Sequence, residues 1–342
     1  MKAMVIEKLS NLQETSKPLT MMDLPVPDPG EGEVLIRVAA CGVCHTELDE
    51  IEGRSSPAFF PIVPGHQVVG HVEECGPGGS TLHVGDRIGV AWIYTACRKC
   101  RFCEYGAENL CSDFKATGRD VNGGYAAYMT VPADFTYPIP ATFTDAQVAP
   151  LLCAGAIGYR SIRLTGCQNG QTIGLTGFGA SGHLVLMALR HMFPDSEVFV
   201  FARNPAQREL ALQLGAAWAG HTDDKPPRVI NAVIDTTPAW RPVVEALKHL
   251  TPGGRLVINA IRKEDRDIAH LENLDYAACL WLEKEIKTVA NVTRRDVIDF
   301  LSLASEIGVR PEVQEYPLEE ANRALSDLTS GTSRGAKVLR IA

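Results

Sequence analysis

The second half of the chain alternates between patterns typical of strands and of helices, and this alternation restricts the fold more than any other feature. Short apolar runs predict strands, and the longer segments between them predict helices. The predicted strands are 172–176, 197–201, 229–235 and 255–260, and the predicted helices are 181–192, 205–214 and 242–250. Because such alternation indicates a parallel sheet with helices on both faces, we predict an α/β fold with a doubly wound parallel sheet.

A glycine-rich turn joins the first of these strands to the first helix. Its sequence, Gly-Phe-Gly-Ala-Ser-Gly at 177–182, matches the GxGxxG fingerprint. Here the glycines allow a tight turn and a close backbone approach, and the helix N-terminus offers amide donors to a pyrophosphate. A turn that serves only to pack strand against helix is the alternative. The predicted dinucleotide-binding residues are Gly177, Gly179, Ala180, Ser181 and Gly182.

The residues after the second predicted strand bear on which dinucleotide binds. The fingerprint includes an acidic residue about twenty positions after the glycines, where it binds the ribose hydroxyls. This chain has Arg203 and Asn204 there instead. Since no carboxylate would repel a 2′-phosphate and Arg203 can pair with one, we predict that NADP(H) is preferred over NAD(H).

The first half of the chain has a different pattern. Glycines and prolines separate short β-branched runs such as 34–38, 85–90 and 124–131, which predicts a β-rich, barrel-like domain. The length of 342 residues agrees with two domains, since a domain has about 150 residues. The last part fits neither pattern, with helices predicted at 296–307 and 318–329 and a strand at 337–341. One interpretation is that this part folds back onto the first domain.

Four of the ten cysteines, Cys97, Cys100, Cys103 and Cys111, lie within fifteen residues. The N-terminus lacks the apolar core of a signal peptide, so we expect a cytoplasmic protein, in which clustered cysteines more often bind metal than form disulfides. Four thiolates can surround one tetrahedral Zn²⁺ and leave no position for a substrate, so the predicted zinc is structural. An iron–sulfur cluster and coincidence are the alternatives.

A second metal site is suggested by three dispersed residues, Cys44, His66 and Cys153, each beside a glycine at the end of a strand or loop. Two thiolates and one imidazole would leave the fourth zinc position open, as a catalytic site requires. Buried cysteines and core histidines are common, so a structural role is the alternative. The other cysteines, Cys41, Cys75, Cys167 and Cys279, have no assigned role.

Together these segments resemble the zinc-containing medium-chain alcohol dehydrogenases over essentially the whole chain. The resemblance rests on five motifs in the family's order: Cys41–Leu48, Pro64–Gln67, the cysteine cluster behind Trp92, Pro150–Gly155 and the turn Gly177–Gly182. It implies a GroES-like catalytic domain, residues 1–154 completed by 289–342, interrupted by a Rossmann domain at 155–288. It also implies that Cys44, His66 and Cys153 hold the catalytic zinc.

The resemblance assigns further roles. Thr46 and Asp49 would carry the alcohol proton toward solvent, His45 would lie beside the cofactor pyrophosphate, and Trp92 would line the substrate pocket unless it is simply core. The chain departs from the family's pattern at four positions, Gln67, Asp49, Ile157 and Ala336. None of these departures removes a zinc ligand, so they bear on rate and pH profile more than on reaction type.

The predicted function is reversible hydride transfer between an alcohol and NAD(P)⁺, with two zinc ions per chain and a small alcohol or aldehyde as the substrate. The alternatives are a zinc-stabilised, nucleotide-binding redox sensor without turnover and a quinone or enoyl reductase of the same superfamily. The net charge of −8 disfavours a nucleic-acid partner. No apolar run reaches the length of about 18 residues that a membrane span needs. By analogy with family members of this length, we expect a homotetramer.

Overall fold

The computed structural model describes residues 1–330 and 335–341. The chain folds into two compact units, of which the first combines Met1–Cys153 with Val292–Ala342 and the second is Ala154–Asn291. In the described part of the chain, no helix has both the length and the apolar composition needed to cross a bilayer.

The secondary structure elements of both units are numbered along the chain. The strands are β1 (Lys2–Val5), β2 (Thr20–Asp23), β3 (Glu33–Val43), β4 (Val68–Cys75), β5 (Arg87–Val90), β6 (Ile93–Thr95), β7 (Lys115–Ala116), β8 (Tyr128–Pro132), β9 (Thr136–Pro138), β10 (Thr172–Thr176), β11 (Glu197–Phe201), β12 (Trp218–Gly220), β13 (Ile230–Asp235), β14 (Leu250–Ile258), β15 (Glu285–Thr288), β16 (Val313–Pro317) and β17 (Ala336–Arg340). The α-helices are α1 (His45–Ile51), α2 (Arg101–Glu104), α3 (Asp145–Val148), α4 (Ala154–Thr165), α5 (Ala180–Met192), α6 (Pro205–Gln213), α7 (Arg241–Lys248), α8 (Tyr276–Cys279), α9 (Arg294–Glu306) and α10 (Ala321–Ser330).

The second unit contains the doubly wound sheet that the alternation predicts. Its six strands have the order β12-β11-β10-β13-β14-β15, and every neighbouring pair is parallel. The order reverses between β10 and β13, and in open α/β sheets ligands bind at the carboxyl ends of the strands beside such a reversal. The Rossmann-type fold class is therefore confirmed.

The turn after β10 depends on a glycine. Gly177 has φ +81°, and a Cβ atom there would lie 2.7 Å from Thr236 Oγ1. Both the left-handed backbone and the close approach of the neighbouring loop exclude a larger side chain. Position 177 thus lets the chain leave the buried strand β10 and enter helix α5 within a few residues.

The main sheet of the first unit is largely antiparallel, and it contains strands from both the N-terminal and the C-terminal parts of the chain. Its strand order is β16-β17-β3-β4-β5-β9, with β8 also paired to β3. The C-terminal strand β17 pairs antiparallel with β3 and parallel with β16. The last part of the chain thus completes the sheet begun by the first, which confirms the β-rich domain of the predicted fold class.

Several predicted boundaries were wrong. The run 124–131 is not one strand, because Tyr125 N–H donates to the carbonyl of Pro64 and the strand β8 begins only at Tyr128. The helix predicted to reach residue 250 ends at Lys248, and Leu250 already opens β14. Strands β12 and β15 and helix α4 were missed. Strand β15 has exposed residues throughout, so it lacks the apolar alternation by which a strand is recognised.

Candidate metal centres and dinucleotide site

Three chain segments of the first unit bring Cys44, His66 and Cys153 together. Cys44 follows β3 and opens α1, His66 lies just before β4, and Cys153 follows a 3-10 turn at Ala149–Leu152. The potential ligand atoms of the three side chains lie within 4.8 Å of one another. Residues separated by about a hundred positions therefore form one compact group with two sulfurs and one imidazole.

The donor set of this triad fits a zinc ion. His66 is 1% exposed, and within the described part of the chain no group forms a hydrogen bond of normal geometry with its Nε2 atom. A buried imidazole nitrogen without a partner is costly unless something binds it. Two thiolates and one imidazole are ligands that Zn²⁺ prefers, and a three-residue set leaves the fourth tetrahedral position for a substrate oxygen.

The pKa values of the two thiols in the triad are shifted in opposite directions. The hydrogen-bond contact with Cys153 lowers the pKa of Cys44 well below its usual range, against the effect of burial. The same contact raises the pKa of Cys153, and burial raises it further. One thiolate is thus already favoured without a cation, and a bound cation would favour ionisation of the other.

Glu47 connects two members of the triad, and sequence reasoning assigned it no role there. Its Oε2 atom accepts a 2.7 Å hydrogen bond from the backbone N–H of Cys44. Its Oε1 atom lies 2.6 Å from His66 Nδ1, an ion-pair distance at which the angles do not satisfy a hydrogen bond. A carboxylate on Nδ1 leaves Nε2 as the free ligand atom. The available signal was the spacing of Cys44 and Glu47, which is that of a capping box.

We predict that Glu47→Gln weakens zinc binding at this triad. The amide keeps the shape of the side chain but loses the negative charge that faces His66 Nδ1. Carboxylates in this position are worth about 10- to 100-fold in metal affinity. Competition with a chromophoric chelator, read as the fraction of zinc removed, measures the change.

Glu50→Gln is the matched control on the same helix. Glu50 is fully buried, and none of the residues that the structure describes forms a hydrogen bond with its carboxylate oxygens. Burial raises the pKa of Glu50 well above its usual range, which favours the uncharged form that glutamine resembles. Equal zinc loss from the two variants would contradict the role given to Glu47.

The four clustered cysteines also meet in space. Their sulfur atoms lie within 4.8 Å of one another, with Cys100 Sγ 3.6 Å and Cys97 Sγ 3.9 Å from Cys103 Sγ. Four sulfurs around one zinc ion, each at about 2.3 Å, are spaced by about 3.8 Å, so the geometry fits a single ion. An iron–sulfur cluster would place several ions between the thiolates and spread them farther apart. Contact with the backbone N–H of Lys99 lowers the pKa of Cys97 to about 7.

The remaining predicted residues of the first unit lie on or near helix α1. Thr46 is buried, with Oγ1 3.6 Å from Cys44 Sγ, and His45 is exposed. Asp49 is buried, and its Oδ1 lies 2.6 Å from the guanidinium group of Arg54. Trp92 is half-buried, and its ring faces the Arg119 guanidinium carbon at 5.0 Å.

The glycine turn of the second unit has room for a ligand. A Cβ atom at Gly179 would meet nothing within 4 Å, whereas one at Gly182 would lie 2.8 Å from the carbonyl oxygen of Gly177. Gly182 is therefore required for packing within the turn, and Gly179 leaves open space beside the N-terminus of α5. This arrangement fits a pyrophosphate. Ser181 is half-buried in the first turn of α5, and the side chain of Ala180 lies outside the described part of the structure.

The end of strand β11 carries positive charge. Arg203 is exposed, and Arg208 Nη1 donates to the carbonyls of Ala202 and Arg203 at 2.8 and 2.9 Å. Asn204 Oδ1 accepts a 2.9 Å bond from the N–H of Ala206 and so caps helix α6. The side-chain oxygen of Asn204 is thus engaged within the protein, while Arg203 faces solvent.

Comparison with known proteins gives consistent matches. The alcohol dehydrogenase GroES-like domain family matches residues 30–141. A probable alcohol dehydrogenase, AdhA, of Mycobacterium tuberculosis strain CDC 1551 is 40% identical over 329 residues, covering 95% of this chain and 93% of that protein. An alcohol dehydrogenase of Geobacillus stearothermophilus is 32% identical over 352 positions, covering 100% of both. The crystal structure of AibC superposes with a TM-score of 0.88 at 26% identity, over 100% of this chain and 96% of AibC.

Proposed function

Since the chain belongs to the zinc-type medium-chain alcohol dehydrogenases, we propose that it interconverts an alcohol and its aldehyde or ketone at the Cys44, His66 and Cys153 triad. The observation that carries this proposal is the convergence of two sulfurs and an unpartnered, buried imidazole nitrogen within 4.8 Å. A quinone or enoyl reductase of the superfamily that works without metal would not need this donor set.

The chain's own residues would bind and orient the reacting groups. When bound, zinc supplies a Lewis acid for the substrate oxygen, and the dinucleotide accepts or returns the hydride. Cys44, His66 and Cys153 would fix the position of the ion, with Glu47 holding the imidazole in its orientation. The glycine turn with the N-terminus of α5 would bind the pyrophosphate, and we propose that His45 also contacts it. Trp92 is proposed to line the substrate pocket.

Thr46 and Asp49 are proposed to pass the substrate proton toward solvent. The Thr46 hydroxyl lies beside Cys44 Sγ, where it can take a proton from a bound alcohol. The Asp49 side chain is only 3% exposed, but its partner Arg54 is 34% exposed. The contact with Arg54 places the buried Asp49 carboxylate next to a side chain that reaches the surface.

Metal content measured together with turnover tests the proposed function. We expect about two zinc ions per chain, as one closed and one open site require, and chelator-sensitive reduction of an aldehyde that consumes NADPH or NADH. One zinc ion per chain with dinucleotide binding but no turnover would favour a redox sensor instead. Turnover of quinones or enones that persists after zinc removal would favour the reductase alternative.

We propose that NADP(H) is preferred, because Arg203 is exposed at the end of β11 and the segment 202–204 contains no carboxylate. Arg203→Ala is expected to lower kcat/KM for NADPH by about tenfold or more, which is the value of a lost charge-assisted hydrogen bond. The value for NADH should change much less. Steady-state kinetics with both cofactors measures the difference.

Arg228→Ala is the matched control for Arg203→Ala. Arg228 is also exposed, but it pairs at 2.9 Å with Glu197 at the opposite end of β11. Removing it should leave the ratio of the two kcat/KM values unchanged. A tenfold preference of the wild-type protein for NADH would refute the proposed cofactor preference.

We also propose that the protein is a homo-oligomer, with a tetramer as the expected form. Strand β15 is a fully exposed edge of its sheet, and Trp281, Leu282 and Ile286 are exposed on or beside it. An exposed sheet edge with apolar side chains beside it favours pairing with another chain. Light scattering gives the mass in solution, and a monomer would contradict this proposal. We further propose a cytoplasmic location, because the cysteines of the described residues are free thiols and four of them cluster as in a metal site, which is typical of proteins from a reducing compartment.

A further inference from the structure

A buried ion pair lies at the ligand-binding end of the parallel sheet in the second unit. Asp235 is the last residue of β13 and is fully buried. The Lys263 ammonium group contacts its carboxylate, and the Lys263 side chain is 9% exposed. Charges buried this deeply are costly and are retained only with dense hydrogen bonding. Neither residue belongs to a recognisable sequence motif.

Both members of the pair are engaged by the loop that follows β13. Lys263 Nζ donates to the carbonyls of Thr237 and Ala239 at 2.8 and 2.9 Å, in addition to the Asp235 carboxylate. Since an ammonium group has three donors, Lys263 has none left for a ligand. Asp235 Oδ1 accepts from the hydroxyls of Thr176 and Thr237 at 2.5 and 2.8 Å.

The same loop lies against the glycine turn. Thr236 donates through its N–H and its hydroxyl to the carbonyl of Thr176, at 2.9 and 3.0 Å. Thr176 is the residue immediately before Gly177. A Cβ atom at Gly177 would lie 2.7 Å from Thr236 Oγ1 and 2.8 Å from Thr237 Cγ2. The loop 236–239 thus forms one wall of the turn, and a displacement of that wall would change the path of the turn.

We propose that Lys263 is a positioning residue that holds the loop 236–239 against the glycine turn and thereby sets the affinity for the dinucleotide. Its charge neutralises Asp235, and its two carbonyl contacts fix the loop on both sides of Pro238. Lys263 acts through the loop, because its three donors are already used. This inference rests on the proposed function only in naming the dinucleotide as the ligand.

The test compares Lys263→Met with Lys284→Met by fluorescence titration with NADPH and NADH. Lys284 is the matched control because it also donates to two carbonyls of the same unit, those of Leu247 and Ala278, at 3.1 and 2.7 Å. We expect Lys263→Met to raise Kd by about tenfold, within the range of interaction energies between contacting residues. Lys284→Met should retain the wild-type Kd. Hydrogen exchange of the Thr236 and Thr237 amides should be faster only in Lys263→Met.

A double variant separates positioning from stability. Lys263→Met alone leaves the Asp235 carboxylate buried without its cation, and this can destabilise the unit. In Asp235→Asn/Lys263→Met no buried charge remains, so the unfolding temperature should recover, while the loop carbonyls still lack their donor and Kd stays high. An affinity that recovers together with stability would overturn the inference.

The binding measurements also distinguish failure of the inference from failure of the proposed function. If the wild-type protein binds a dinucleotide and Lys263→Met binds it with the same Kd, the inference is overturned and the proposed function still stands. If the wild-type protein binds neither dinucleotide, the proposed function fails and the inference fails with it. In the kinetic assay, a positioning role predicts a raised KM for the cofactor with a nearly unchanged kcat.

Discussion

Cys153→Ser is expected to lower kcat by about a thousandfold or more, because zinc contributes several kcal/mol of transition-state stabilisation and each 1.36 kcal/mol is a factor of ten in rate. The serine hydroxyl does not ionise near neutral pH, and zinc binds thiolate far more readily than a neutral hydroxyl. Since Cys153 is only half-buried and serine has nearly the same shape, the fold should be retained. Zinc content should fall from about two ions per chain to about one.

Turnover, zinc content and the circular dichroism spectrum are the measurements, and Cys75→Ser is the matched control. Cys75 is a half-buried thiol of the same unit, and it donates a 3.5 Å hydrogen bond to the carbonyl of Leu82, away from both cysteine groups. Its replacement should leave both zinc content and kcat at the wild-type level. Full turnover in Cys153→Ser would show that this residue is not a catalytic zinc ligand.

The parts of the fold that follow from local pattern were accessible from the sequence. Strand β10, the turn at 177–182 and helix α5 combine a buried apolar run, a glycine fingerprint and helical composition within about twenty consecutive residues. Strands β12 and β15 were not accessible, because one has only three residues and the other is exposed on all four. Their pairing is decided by neighbours that are distant in sequence.

The candidate sites also differ in whether local sequence predicts them. Spacing alone predicts the metal site formed by Cys97, Cys100, Cys103 and Cys111. The triad of Cys44, His66 and Cys153 spans about a hundred residues. Positions beside a glycine suggested the three as a second metal site, and the resemblance to a family identified them as the ligands of the catalytic zinc. Glu47 and Lys263 act through atoms that face other segments, and no sequence spacing encodes which carbonyl or imidazole a side chain will meet.

The two candidate metal sites contain similar ligands but differ in what the surrounding structure supplies. Two members of the triad flank buried strands, Cys44 after β3 and His66 just before β4, and Cys153 follows the buried 3-10 turn Ala149–Leu152. The four-cysteine loop includes helix α2, which has no buried residue, and it is tied to helix α9 by the ion pair of Glu108 with Arg294 at 3.0 Å. We therefore expect a loop with so little apolar burial to depend on a bound ion for its order.

We therefore expect Cys103→Ser to lower the free energy of unfolding while it changes kcat little. Removal of one thiolate from a structural zinc site, whose binding free energy is about 10–16 kcal/mol in small zinc peptides, is expected to cost about 3 kcal/mol or more. At about 2–4 °C per kcal/mol for a unit of this size, Tm should fall by about 6–12 °C. Differential scanning calorimetry and zinc analysis measure the two effects.

The contrast with Cys153→Ser makes this prediction decisive. At 25 °C the Cys103→Ser protein should keep most of its kcat, because the triad and the glycine turn retain all their residues, while it loses about one zinc ion per chain. Cys75→Ser again serves as the control and should have the wild-type Tm. If Cys103→Ser abolishes turnover at an unchanged Tm, while Cys153→Ser lowers Tm and keeps turnover, the open and closed sites have been assigned the wrong way round.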